Sequence, residues 1–132
     1  MGGRSPLEVH VSAPSPESAK RLADVLIEER LAGYVRVIGP MFSVFRWREE
    51  VEATHEYLVI AKTFDDAFDR LAERVAAEHP YDVPEVVAVP IARVAESYAG
   101  WLAAQVPAPP ELSVAEADPA CEATAHRGGT GA

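Results

Sequence analysis

Cysteine is the scarcest reactive residue in this chain of 132 residues: Cys121 stands alone. A single thiol excludes an intramolecular disulfide and a thiolate cage, so any metal site must draw on histidine, carboxylates or main-chain groups, from one subunit or several. It also excludes the CxxC pair of soft-metal chaperones. Lysine is nearly as rare, with Lys20 and Lys62 alone among the 12 basic residues, and the plain reading is a GC-rich coding bias. The formal net charge of -9 would repel a phosphate backbone and argues against nucleic acid. No apolar run approaches the ~20 residues needed to cross a bilayer, so no membrane partner is expected. The opening MGGRSP has no apolar leader stretch, and Pro6 stands where myristoylation needs Ser or Thr. The expected location is the cytoplasm.

What is present is the profile of one soluble globular domain, 48% hydrophobic and 25% charged. The composition changes near Val106. Residues 107–132 hold four of the 11 prolines and no amphipathic period, and Arg127 is their only Lys or Arg against four acids. That segment is expected to be a disordered acidic tail rich in Pro and Ala, leaving residues 5–106 as the folded unit.

Within that unit LEVHVSA alternates, with Leu7, Val9, Val11 and Ala13 opposite Glu8, His10 and Ser12, which predicts a half-buried strand. Ser15 and Pro16 read as an N-cap and first turn, followed by apolar residues at helical spacing up to Leu31, with Gly33 as the left-handed stop. A long strand from Tyr34 to Arg48, broken at Gly39-Pro40, is followed by a short acidic turn, EEVEA, and the strand THEYLVIAKT. Asp65 or Asp66 starts a second helix, which must end by His79 because Pro80 follows. PEVVAVPI is a fourth strand and ESYAGWLAAQV a short third helix. The order predicts an α+β, ferredoxin-like βαββαβ sandwich with an antiparallel sheet and an extra C-terminal helix.

Two strands, YLVIA (57–61) and VVAV (86–89), are apolar on both faces, as in strands covered on both sides. Two crossover helices cover only one face. The arm bearing Phe42, Phe45 and Trp47 also extends beyond what four strands need. A second copy of the chain is the cheapest cover, so an oligomer is expected.

The stretch AEHPYDVPEVVAVPI packs His79, Tyr81, Asp82 and Glu85 among three prolines. Two readings of His79 stand side by side: a donor to a helix-end carbonyl, or a metal ligand needing partners such as Glu78, Asp82 or Glu85. Tyr81 can bury its ring with a wet hydroxyl while the prolines fix the corner. Trp47, Phe45 and Trp101 suit an interface or core. Lys62 and Glu56 share a strand face with Leu58 and Ile60, and either can reach a subunit cleft or pair at the strand ends. With Trp47, Tyr81 and Glu85, Lys62 completes the candidate ligand set. In the tail, Cys121, Glu122 and His126 offer copper only an unorganised contact.

The stretches SAPSPESAKRLADVLIEERLAGYV, SVFRW, AKT, HPYDVPE, VAVPI and SYAGWL resemble, in order and spacing, the CutA family of divalent-cation tolerance proteins, over about residues 9 to 105. The resemblance implies a ferredoxin-like subunit in a tight homotrimer, tolerance of copper and other divalent metals, and no accepted enzymatic activity. The family's usual cysteine is Tyr34 here and a usual tyrosine is Phe45. Positions suggested as copper ligands in some members fall on Val11, Glu78 and His79, of which His79 and Glu78 can donate. The implied cofactor is therefore Cu(II) or another divalent cation, bound without a thiolate. The leading expectation is a non-enzymatic, metal-tolerance homotrimer. The alternative is a trimer of the PII type that senses a small ligand, although no Gly-rich phosphate cradle is visible. An enzyme ranks third, because APSPES lacks the glycine-rich, arginine-bearing loop of acylphosphatases.

Overall fold

The alternation of LEVHVSA becomes an edge-to-edge division of one strand in the computed structural model, which describes residues 3–110. β1 (Pro6–Ala13) turns Val9, Val11 and Ala13 wholly inward and leaves Glu8 and His10 half-buried on the other side. Ser15 then closes a capping box: its Oγ accepts the Ser18 N–H at 3.0 Å, and Ser18 Oγ accepts the Ser15 N–H at 3.3 Å. Pro16 opens α1 (Pro16–Glu28), where its missing N–H costs no hydrogen bond. Ala19, Leu22 and Leu26 form the buried stripe of α1.

The exit from α1 differs from the sequence expectation. Arg30, not Gly33, adopts the left-handed conformation, with φ 58, while its guanidinium donates to the Gln105 carbonyl at 3.2 Å. Gly33 provides clearance instead: a Cβ there would lie 2.7 Å from Leu102 Cδ1 and 3.0 Å from Gln105 Cβ. The contact that requires glycine is supplied by a helix about 70 residues later, which a local pattern does not reveal.

β2 (Tyr34–Trp47) and β3 (Glu50–Phe64) form a long hairpin whose turn is only Arg48 and Glu49, at φ 52 and 72. Two consecutive left-handed residues match the twist of the paired strands. The expected acidic turn over EEVEA is thereby corrected: Phe45 faces Glu52 and Trp47 faces Glu50 inside the ladder. The ladder is irregular between Ile38 and Met41, around the cis Gly39-Pro40 bond, where a Cβ on Gly39 would meet the Tyr57 ring at 2.5 Å.

A 3-10 turn (Asp65–Ala67) precedes α2 (Phe68–Glu78). Neither Asp65 nor Asp66 caps the helix. Asp66 binds Arg4 through both carboxylate oxygens, at 2.9 and 2.7 Å, and Arg4 also donates to the carbonyl of fully buried Val106 at 2.7 Å. β4 (Val86–Pro90) and α3 (Glu96–Gln105) complete the unit. The sheet order is β2-β3-β1-β4, antiparallel throughout, which is the expected α+β ferredoxin-like sandwich. Residues 111–132, most of the expected tail, lie outside the described residues.

α1 and α2 pack Leu22, Leu26, Leu71 and Val75 onto Val9, Val11, Val59 and Ala61, all on one face of the sheet. α3 builds a smaller cluster with Phe64, Ala67 and Val106 around Leu102. Among the described residues nothing covers the opposite sheet face. On it Ile38, Val87 and Val89 keep 50%, 48% and 43% of their surface exposed, beside half-buried Leu58 and Ile60. The back of the β2–β3 arm is equally bare, at Phe42, Val44 and Val51.

Outside the sheet, Arg74 grips Glu29 in a bidentate pair at 2.8 and 2.9 Å and reaches Glu78 at 3.1 Å, while Arg21 holds the other Glu78 oxygen at 2.9 Å. Hydrogen bonds from Arg74 hold Glu29 below the usual carboxylate range, and those from Arg21 and then Arg74 do the same for Glu78. Lowered carboxylates stabilise fully above their unfolded pKa of about 4.3, and that contribution is lost as pH falls through the folded value. Thermal midpoints should therefore drop on acidification below about pH 4.3, and Arg74→Met should flatten that acid limb.

Candidate functional site

The segment HPYDVPE leaves α2 with His79 in an extended conformation, φ -79 and ψ 141, because the following Pro80 crowds the helical region. That geometry swings the imidazole inward, where only 8% of the residue stays exposed. Its Nε2 lies 2.6 Å from the Ser12 carbonyl and its Nδ1 accepts the Tyr81 N–H at 3.0 Å. The two partners together set the neutral tautomer with the proton on Nε2, which donates to Ser12. The histidine thus pins the corner to the end of β1, and not to a helix-end carbonyl, one of its two sequence readings.

Tyr81 stacks beside His79, ring centroids 4.8 Å apart, and its hydroxyl donates to Glu56 Oε2 at 2.8 Å. Burial, and then the Glu56 carboxylate, push the Tyr81 hydroxyl up to about 12, so it remains a donor under ordinary conditions. The hydroxyl is therefore tied to protein rather than wet. Ser12 Oγ donates to Glu85 Oε1. The loop is fastened to β1 and β3 by three side chains of its own.

Facing this loop is one side of the arm, carrying Ser43, Phe45 and Trp47 from β2 and Glu52, Thr54 and Glu56 from β3. Between them opens a cleft of about 980 Å³. Trp47, Tyr81 and Glu85 of the sequence candidates line it, and Lys62 does not. Lys62 sits toward the other end of β3, its Nζ 5.6 Å from the Tyr34 ring centroid. Glu78 is elsewhere too, held by Arg21 and Arg74 on the helical side.

The structure does not bring the candidate metal pair together. Glu78 ends α2 and points at arginines, whereas the extended backbone of His79 turns its ring under the loop, with both nitrogens engaged. Among the described residues no group of three or more His, Cys, Asp or Glu is placed to hold a metal ion. Ser43 and Thr54 were not legible as cleft residues. The signal that reached nearest was the shared face of Ser43, Phe45 and Trp47, which periodicity gives without saying what that face covers.

Comparison with known proteins places this geometry. The profile of CutA1, described as CutA1 divalent ion tolerance protein, matches residues 7–105. The chain is 46% identical over 94 residues to the divalent-cation tolerance protein CutA of Thermus thermophilus, covering 71% of this chain and 91% of that protein. It is 39% identical to the chloroplastic protein CutA of Arabidopsis thaliana, covering 71% of this chain and 52% of that longer protein. The structure of CutA1 from Oryza sativa superposes with a TM-score of 0.76 at 39% identity, over 78% of this chain and 94% of that one. By its fold, the order of its motifs and this match across nearly the whole folded unit, the chain belongs to the CutA1 family of divalent ion tolerance proteins.

Proposed function

We propose that this chain serves divalent-cation tolerance as a non-enzymatic homotrimer that meets a cation such as Cu(II) weakly, without a closed metal centre. The observation that carries the assembly is the bare sheet face: Ile38, Val87 and Val89 sit in an antiparallel sheet whose helical layer, among the described residues, covers the other side. An apolar face of this kind is stabilised by burial against further copies. Membership of the CutA1 family supports the tolerance role. The weak cation contact follows from the donors available: a cation at His79 must displace either the Ser12 carbonyl or the Tyr81 amide. One at Glu78 competes with two guanidinium groups.

Light scattering on the full chain, joined to calorimetric Cu(II) titration, tests both parts. A mass of three chains is expected, with low-affinity heat that persists when Cys121 and His126 are replaced by alanine. A single-chain mass would overturn the trimer. Tight, stoichiometric Cu(II) uptake lost in the Cys121→Ala, His126→Ala variant would move the metal contact to the tail.

A further inference from the structure

The bare sheet face carries an ion pair among its apolar side chains. Glu8 and His10 project from β1 away from the helices, with His10 Nε2 2.8 Å from Glu8 Oε2. In the single chain their side chains keep 32% and 30% of their surface in water. Ile60 stands opposite His10 on β3 and Val87 opposite it on β4, while Val89 stands opposite Glu8.

Few other charges face the pair. β4 offers none, because its residues beside Glu8 and His10 are Val89 and Val87. β3 places Lys62 opposite Glu8, and β2 places Arg36 one strand further out, opposite Ile60. Both cations lean on the Tyr34 ring, Arg36 Cζ 4.8 Å and Lys62 Nζ 5.6 Å from its centroid. Tyr98 of α3 lies beside Tyr34 and Arg36. In the other direction Ser12 follows His10 along β1 and binds Glu85, and Glu56 lies beyond Leu58 on β3. Among the described residues, His10 is the only charged partner that Glu8 has.

Covering this face with further copies removes the water that screens the Glu8 carboxylate. A buried carboxylate without a counter-charge is strongly destabilising. Neutral imidazole gives it a hydrogen bond but leaves the charge, whereas imidazolium neutralises it. The covered face is therefore better satisfied with His10 protonated. We propose that assembly through this face takes up a proton at His10, so that copies associate most tightly when imidazolium meets Glu8. The proposal rests on the homotrimer put forward above and adds a control over the same face. Linkage gives the sign: the state holding the extra proton is favoured at low pH, and its advantage is lost as pH rises through the histidine range. The other described histidines lie elsewhere, His55 beside Phe42 on the back of the arm and His79 between Ser12 and Tyr81.

Light scattering on the full chain in increasing urea, at about pH 6 and about pH 8, tests the link. The urea concentration at which the three-chain mass is lost should be lower at the higher pH, by about 0.5 M or more. Glu8→Gln needs no counter-charge and should abolish that difference by holding the assembly tight at both pH values. His10→Leu leaves the carboxylate alone and should abolish it in the opposite sense, with a low midpoint at both. Both residues lie outside the core, so far-UV circular dichroism without urea should match the wild type. Equal wild-type midpoints would overturn the link and leave the trimer standing. A wild-type difference that survives in both variants would overturn it too, by moving the titration to other groups. Single chains at both pH values without urea would overturn the trimer itself, and the link with it.

Discussion

Replacing Val87 by aspartate is expected to reduce the proposed particle of three chains to single chains. Val87 lies on the uncovered face, on the edge strand β4, paired with His10 of β1 and 48% exposed in the isolated chain. Within one subunit a carboxylate there stays in water and should fold normally. In the proposed trimer it would be buried three times over against apolar surface without a counter-charge, at a cost of several kcal/mol for each ion. That exceeds what a loose association can absorb, so the loss should be complete at micromolar chain concentrations. Arg70→Asp is the matched control, because Arg70 is exposed on the helical side. It should leave the mass at three chains. An unchanged mass for Val87→Asp would mean that copies meet elsewhere, for example along the bare back of the arm at Phe42 and Val44.

The same face shows how far a sequence can be read. The doubly apolar runs YLVIA and VVAV announce a sheet with work on both sides, and period-2 alternation in β1 assigns which side the helices take. Those patterns are local, because a strand's alternation is fixed by its own backbone. Ser15 and Pro16 start α1, and Pro80 ends α2 at Glu78, for equally local reasons. The features that escaped depend on distant chain. Gly33 is glycine because α3 lies against it, so the left-handed stop falls to Arg30. Twist and pairing, not acidity, confine the hairpin turn to Arg48 and Glu49. The cleft belongs to this second kind. HPYDVPE and the Phe45–Trp47 face were each visible, but only the Tyr81–Glu56 and Ser12–Glu85 bonds show that they confront one another.

His79→Ala separates the two readings of the histidine by the size of its stability effect. The ring is nearly buried and satisfies two backbone groups, the Ser12 carbonyl and the Tyr81 amide. Truncation leaves both unpaired and opens a void beside the Tyr81 ring, which together should destabilise the fold by about 2–4 kcal/mol. Chemical denaturation read by far-UV circular dichroism should show that loss directly. Tyr81 is held through the same corner, so its hydroxyl should loosen from Glu56, and the tyrosine absorbance should titrate below its present value of about 12. His79→Gln offers an amide donor for the Ser12 carbonyl and should recover part of the stability. Cu(II) heat should change little beside these effects, because a ring with both nitrogens already engaged contributes little to a metal. Wild-type stability combined with vanished Cu(II) heat would reverse that order and make His79 a ligand first. The corner would then owe its shape to Pro80 and Pro84, with the imidazole free to turn toward a metal.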